Sequence, residues 1–279
     1  MSPKREEEPM RIAVLGSGTI GTALVRAALS SGHRVIGTGR SERTLERVKS
    51  LGAEATRNNE EAIASSELVV VSVKPQHFPE MVSSVSSDLW IGRTVVSVMA
   101  GVRLETLRRI MRGAEVFRAM PNVNSTVGKS ATALTGEGER RGEVDSLFRT
   151  VGVTYWVQEE LMDVWTALVG SGPAFVSELV DGLVLGAVAS GMSRELAYSA
   201  VLDMLEGTIA NLRAHRGHPL ELRDNVTTPA GTTIAGLKVM ERRLVKSAMM
   251  ETVEAASRRA ARLGKVIDGR ISREISERK

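Results

Sequence analysis

The first residues able to do chemistry are Gly16-Ser17-Gly18-Thr19-Ile20-Gly21. They follow a run that reads as a buried strand, RIAVLG (11–16). They open a run with apolar residues at helical spacing, TIGTALVRAALSSG (19–32). In such a turn Gly16 permits the tight bend, Gly18 lets the backbone approach a pyrophosphate, and Gly21 lets helix and strand pack closely. The helix N-terminus then offers unpaired N–H groups and a positive dipole end to phosphates. A glycine-rich turn occurs in other α/β proteins too. The strand–turn–helix context is what predicts a dinucleotide here.

The end of the second strand decides which dinucleotide. An acid there suits a ribose 2′-hydroxyl, and an Arg suits a 2′-phosphate. The segment is Thr38-Gly39-Arg40-Ser41, with no acid before Glu42. The planar fork of Arg40 and the hydroxyl of Ser41 favour NADPH, with NADH as the alternative. Val73-Lys74-Pro75-Gln76 ends the third strand, Ala100-Gly101 the fourth and Met120-Pro121-Asn122 the fifth. Ligands bind at the carboxyl ends of parallel strands, so these turns should face the cofactor. Lys74 is a candidate base or phosphate partner, or simply a solvated lysine.

A second constellation is Thr227-Thr228-Pro229-Ala230-Gly231-Thr232-Thr233, leading into a helix. Its hydroxyls exceed what capping requires. With backbone N–H groups and a helix N-terminus they make an anion site suited to a substrate carboxylate. A threonine hydroxyl in this loop is too weak an acid to protonate a substrate strongly, so positioning is its expected role.

These residues need particular elements to hold them. HRVIGTG (33–39), ELVVVSV (67–73), TVVSVMAG (94–101), AEVFRAM (114–120) and VTYWV (153–157) read as further strands. ELVVVSV, continuously apolar through its centre, suits a strand buried on both faces. Strands alternating with helical runs predict an α/β Rossmann domain with a parallel-type sheet. After residue 158 the pattern becomes helical, in 161–170, 173–191, 193–217 and 232–264. The expected organisation is a flexible leader over residues 1–9, a Rossmann domain over 10–158, and an all-α dimerisation domain over 159–279. Small residues recur on apolar helical faces at Gly182, Gly186, Ala187, Ala189 and Gly191. Those faces are too extensive to bury on one another, which predicts packing against a second copy of the chain.

Composition removes several other chemistries. The 279 residues contain no Cys, which excludes disulfides, thiolate metal sites and a Cys nucleophile. His33, His77, His215 and His218 lack the spacing of a zinc site, so no metal is expected. Net charge is +4 and the pI about 9.6, but aromatics are only 3% and the basic residues are interleaved with acids. Base-stacking platforms are therefore nearly absent, and no nucleic-acid partner is expected. No run of about 18 apolar residues is read in the sequence, so no membrane span is expected. The polar start MSPKREEEP has no apolar h-region. A cytoplasmic location is expected.

In order along the chain, GSGTIG, VKPQ (73–76), SVMAG (97–101), FRAMPNV (117–123), MDVWTALVGSGPAF (162–175) and LRDNVTTPAGTTIAGL (222–237) resemble the pyrroline-5-carboxylate reductase family. Thr228 and Ala230 depart from the family's commoner Ser and Gly. The resemblance implies an NAD(P)H-dependent reduction of the cyclic imine L-1-pyrroline-5-carboxylate to L-proline. It also implies a helical domain that interlocks with its mate in a homodimer, with larger rings of dimers known in the family. It places cofactor contacts on Gly16, Ser17, Gly18, Thr19, Ile20, Arg40, Ser41, Asn59, Val73, Lys74, Pro75, Ala100 and Gly101. It assigns the substrate carboxylate to Thr228, Gly231, Thr232 and Thr233, with Thr233 beside the ring nitrogen. The rival readings are a reductase of another cyclic imine acid, a hydroxy-acid-type dehydrogenase, and a non-catalytic NADPH-binding regulator.

Overall fold

A computed structural model describes residues 9–277; the expected leader lies, apart from Pro9, outside the described residues. The strands are β1 (Arg11–Leu15), β2 (Arg34–Thr38), β3 (Glu54–Thr56), β4 (Leu68–Val71), β5 (Thr94–Ser97), β6 (Glu115–Met120), β7 (Ser130–Gly136) and β8 (Gly152–Trp156). They form one sheet in the order β3-β2-β1-β4-β5-β6-β7-β8. Between them lie α1 (Thr19–Ser30), α2 (Glu42–Ser50), α3 (Asn59–Ala64), α4 (Phe78–Ser83), α5 (Leu104–Ile110) and α6 (Arg141–Arg149).

Alternation along β1 builds both faces. Ile12 and Val14 join Leu24, Val70, Phe117 and Phe148 in one core. Ala13 and Leu15 join Val69, Phe78, Trp90 and Leu107 in the other. β4, which is LVVV, is fully buried, as a strand covered on both faces must be. The order reverses at β1, which pairs with β2 on one side and β4 on the other. That reversal opens a crevice at the carboxyl ends of β1 and β4, where α/β sheets bind ligands.

Two strands escaped the sequence reading. β3 has only three residues. β7 carries Ser130, Thr132 and Thr135, all buried, and does not read as an apolar run. β7 is antiparallel to β6 and parallel to β8. The 121–129 link is too short for the crossover that a parallel neighbour needs.

β8 is fastened to α6 by Asp145, which accepts from Thr154 Oγ1 at 2.7 Å and Trp156 Nε1 at 3.0 Å and pairs with Arg149. Burial alone would raise this carboxyl. The hydrogen bonds from Arg149, Thr154 and Trp156, with the Arg149 charge, outweigh burial and hold it below the usual carboxylate range. A lowered folded-state value means that the stabilisation is present above the unfolded value, near 4. It is lost as pH falls through the folded value. Unfolding free energy should therefore drop more steeply between about pH 5 and pH 3 in the wild type than in Asp145→Asn. Parallel acid profiles in the two proteins would contradict this.

Beyond β8 the helices are α7 (Met162–Trp165), continued by a π-turn at Thr166–Gly170, then α8 (Gly172–Ala189), α9 (Arg194–His215), α10 (Pro219–Asn225), α11 (Thr232–Arg242) and α12 (Val245–Glu277). The described chain divides into two compact units, residues 9–171 with 256–277, and residues 172–255. The expected division at 158/159 differs from this for physical reasons. Met162 is buried with Met120 and Ala133. Trp165 Nε1 donates to the Met120 carbonyl at 3.1 Å, and Asn122 Nδ2 donates to the Val169 carbonyl at 3.1 Å. The end of α12 belongs to the first unit through Ile271, which is buried, and Asp268, which accepts from Arg103 N at 3.1 Å and Thr106 Oγ1 at 3.0 Å.

In the second unit α8 and α9 share only a small core of Val184, Ala197 and Val201. Val176, Leu179, Leu183, Leu196, Leu202 and Ile209 are more than two-fifths exposed in the single chain. The continuous helical stretch Glu159–Ala189 is long and apolar enough, by length and composition, to cross a membrane. This corrects the expectation that no such stretch exists. Glu159, Glu160, Asp163, Glu178 and Asp181 punctuate the stretch, so it does not stand out as an apolar run in the sequence.

Candidate active site

The glycine turn is shaped from below. Gly16 has φ +91°, and a Cβ there would stand 2.8 Å from Val73 Cγ1. Its N–H donates to Thr38 Oγ1 at 3.2 Å, and Thr38 Oγ1 donates to Asn59 Oδ1 at 2.8 Å. Thr38 thus ties the turn to the first residue of α3. Ser17 N–H donates to the Thr38 carbonyl at 2.9 Å. The Ser17 carbonyl accepts from Thr22 Oγ1 at 3.0 Å and from Arg47 Nη2 at 2.5 Å. Both main-chain groups of Ser17 are therefore spent on holding the turn, and its buried hydroxyl has no partner among the described residues.

Gly18 fits a phosphate cradle. It is the N-cap of α1 without a side-chain cap bond, and a Cβ built on it meets nothing within 4 Å. The first-turn amides at Thr19 and Ile20 lack helical acceptors and remain for a ligand. This backbone opens on a cavity of about 670 Å³, within the range that holds a cofactor-sized molecule. Of the candidate cofactor residues, Gly16, Ser17, Gly18, Arg40, Ser41, Asn59, Val73 and Lys74 line it. Thr38, Thr44, Arg57, His77 and Glu80 line it too and were not singled out. Arg57 follows β3, and without that strand nothing in the sequence placed it at a carboxyl end. The cradle, the open volume and the cationic rim together fit a dinucleotide phosphate chain.

Thr19, Ile20, Pro75, Ala100 and Gly101 are not among the residues that line this cavity. Pro75 starts a single helical turn, Pro75–His77, capped by Lys74. Gly101 has φ +76°, and a Cβ there would stand 2.8 Å from Gly264 Cα on α12. Its lack of a side chain is what lets α12 cross the turn after β5. Of the remaining histidines, His33 is buried and accepts from Met10 N at 3.3 Å, and His218 accepts from Leu220 N at 3.2 Å as the cap of α10. Among the described residues no group of His, Cys, Asp and Glu is placed to hold a metal.

The hydroxyl loop belongs to the second unit. Thr227 Oγ1 donates to the Arg223 carbonyl at 2.6 Å, and Gly231 N donates to the Thr228 carbonyl at 3.1 Å. Gly231 caps α11 without a side-chain bond, and a Cβ on it would lie 2.4 Å from Thr228 Oγ1. Only glycine lets that hydroxyl fold over the helix start. Thr232 and Thr233 are the first two residues of α11. None of the hydroxyls of Thr228, Thr232 and Thr233 has a hydrogen-bond partner among the described residues. Ala230 has φ +57°, a left-handed conformation that glycine adopts without cost.

A reversed strand order over a glycine turn, an arginine at the end of β2 and a mostly helical second part define a dinucleotide-binding Rossmann protein with an added helical unit. Residues 11–101 match the family model NADP oxidoreductase coenzyme F420-dependent, and residues 159–263 match pyrroline-5-carboxylate reductase dimerisation. The chain is 33% identical over 261 residues to a pyrroline-5-carboxylate reductase of Aquifex aeolicus, covering 91% of this chain and 97% of that one. Its fold matches the crystal structure of the enzyme from Streptococcus pyogenes with a TM-score of 0.84 and 27% identity, over 91% of this chain and 99% of that one. It also matches the Plasmodium falciparum enzyme, crystallised with NADP, with a TM-score of 0.82 and 24% identity, over 92% and 99% of the two chains. The chain belongs to the pyrroline-5-carboxylate reductase family. The dimerisation match covers α8, α9 and α11, and supports a second copy of the chain as the cover for their open apolar faces.

Proposed function

We propose that this chain reduces L-1-pyrroline-5-carboxylate to L-proline with NADPH. The observation that carries the reading is 33% identity to a named reductase over 91% of this chain, beside the phosphate cradle and the hydroxyl-rich loop that the chain itself carries. Bound NADPH supplies a hydride to the carbon of the ring C=N bond, while the nitrogen takes a proton. The chain's own work is to hold and orient. The α1 amides and Gly18 take the pyrophosphate, and Arg40 and Ser41 take the 2′-phosphate. Thr228, Gly231 and Thr232 take the substrate carboxylate. The Thr233 hydroxyl aligns the ring nitrogen and passes its proton from water. A protonated imine is already electrophilic, so this scheme calls for no nucleophile. A homodimer, rings of dimers and a cytoplasmic location, with neither membrane nor nucleic acid as partner, complete the proposal.

The test is loss of reduced-nicotinamide absorbance on adding pyrroline-5-carboxylate, with a six-membered-ring imine acid in parallel. Turnover on the five-membered ring supports the reading. Turnover confined to the larger ring moves the assignment to another imine reductase, and none on either leaves a nucleotide-binding protein. Thr233→Ala should lower turnover roughly ten- to a hundredfold with NADPH affinity unchanged. Unaltered turnover in that variant would remove Thr233 from the mechanism.

A further inference from the structure

We propose that His77 is a specificity-determining residue, forming with Arg40 a composite seat for the phosphate that distinguishes NADPH from NADH. This rests on the cofactor reading above. Arg40 Nη2 donates to His77 Nε2 at 3.0 Å, and Arg40 Nη1 lies 3.5 Å from His77 Nδ1 and 3.7 Å from Glu80 Oε2. All three side chains line the same cavity as Ser41 and Arg57.

A guanidinium has no acceptor, so the imidazole must accept on the nitrogen that faces it. The contact holds an arginine whose side chain is 71% exposed against the cavity wall. A side chain held in place loses less freedom when it takes a phosphate. Once the phosphate engages Arg40, the imidazole N–H of His77 is placed to donate to the same anion. Glu80 acts the other way, because its carboxylate competes for Arg40 and repels a dianion. The charged groups around the imidazole are thus Arg40 at the end of β2, Arg57 beyond β3 with its partner Glu42, and Lys74 and Glu80 on its own segment.

The experiment is calorimetric titration of the full chain with adenosine 2′,5′-bisphosphate and, separately, with 5′-AMP. Their affinity ratio isolates the 2′-phosphate. His77→Ala should lower the ratio roughly tenfold, the scale of one charge-assisted hydrogen bond, and Glu80→Gln should raise it. A ratio that is the same in wild type and His77→Ala, with both nucleotides bound, overturns the role of His77 and leaves the cofactor site standing. Failure of the wild type to bind either nucleotide overturns both.

Discussion

Gly21→Ala is expected to weaken NADPH binding about a hundredfold while the chain stays folded. The added Cβ would stand 2.4 Å from the Gly16 carbonyl oxygen and 3.2 Å from Ser72 Oγ. The first contact is with backbone and cannot be relieved by a rotamer. Gly16 cannot retreat either, because its left-handed backbone already lies against Val73. The strain is therefore relieved by moving the start of α1 away from the turn, and the amides of Thr19 and Ile20 move with it. Hydrogen bonds to charged groups contribute about 1.5–3 kcal/mol each. Misaligning two of them costs roughly 3 kcal/mol, or about a factor of a hundred. Gly32→Ala is the control. Gly32 also has positive φ (+85°), but a Cβ there meets nothing within 4 Å. That variant should lose about 1 kcal/mol of stability and no affinity. Fluorescence titration of NADPH, with thermal unfolding of each variant, decides the matter. A Gly21→Ala protein that binds within threefold of wild type would show that the turn can relax after all.

This cradle was the most legible part of the chain, because its chemistry is local. A strand, three glycines at fixed spacing and a helix start lie within a dozen residues. β1 and β4 were legible for a similar reason, since IAVL and LVVV are the unbroken apolar runs that strands buried on both faces need. β7 was not, because its buried hydroxyls find partners only in the folded sheet, as when Ser130 Oγ accepts from Asn122 N at 3.1 Å. Arg57 and His77 were missed because each enters the cavity from a short element whose position depends on the fold. The contact of Gly101 with Gly264 was invisible for the same reason, as no local pattern links residues so far apart. Ala230 shows the converse. Its place in a hydroxyl loop was plain in the sequence, but its left-handed backbone needed coordinates.

Long-range placement also explains why residues 159–171 side with the Rossmann unit, and it yields the second large effect. Arg118 lies on β6 with its side chain only 4% exposed, and its Nη1 donates to Glu159 Oε1 at 2.9 Å. The same oxygen accepts from Leu104 N, the first residue of α5, at 2.6 Å. Glu159 thus satisfies a buried cation and a helix-start amide together. Glu159→Ala leaves both without an acceptor, and Arg118 Nε already has none among the described residues. Breaking one side of a buried pair costs about 3–5 kcal/mol. Glu159→Gln keeps an acceptor and should lose about 1–2 kcal/mol. Replacing both partners, Arg118→Met with Glu159→Leu, removes the unpaired charge and should recover most of the loss. Glu42→Ala, which breaks an ion pair with Arg57 that is 62% exposed on both sides, should cost under about 1 kcal/mol. Urea unfolding at one fixed protein concentration keeps any contribution from self-association constant across the set. If Glu159→Ala falls no further than Glu42→Ala, the Arg118 charge is being satisfied by water rather than by this carboxylate. The segment after β8 would then be held to the sheet by Met162, Trp165 and the Asn122–Val169 hydrogen bond.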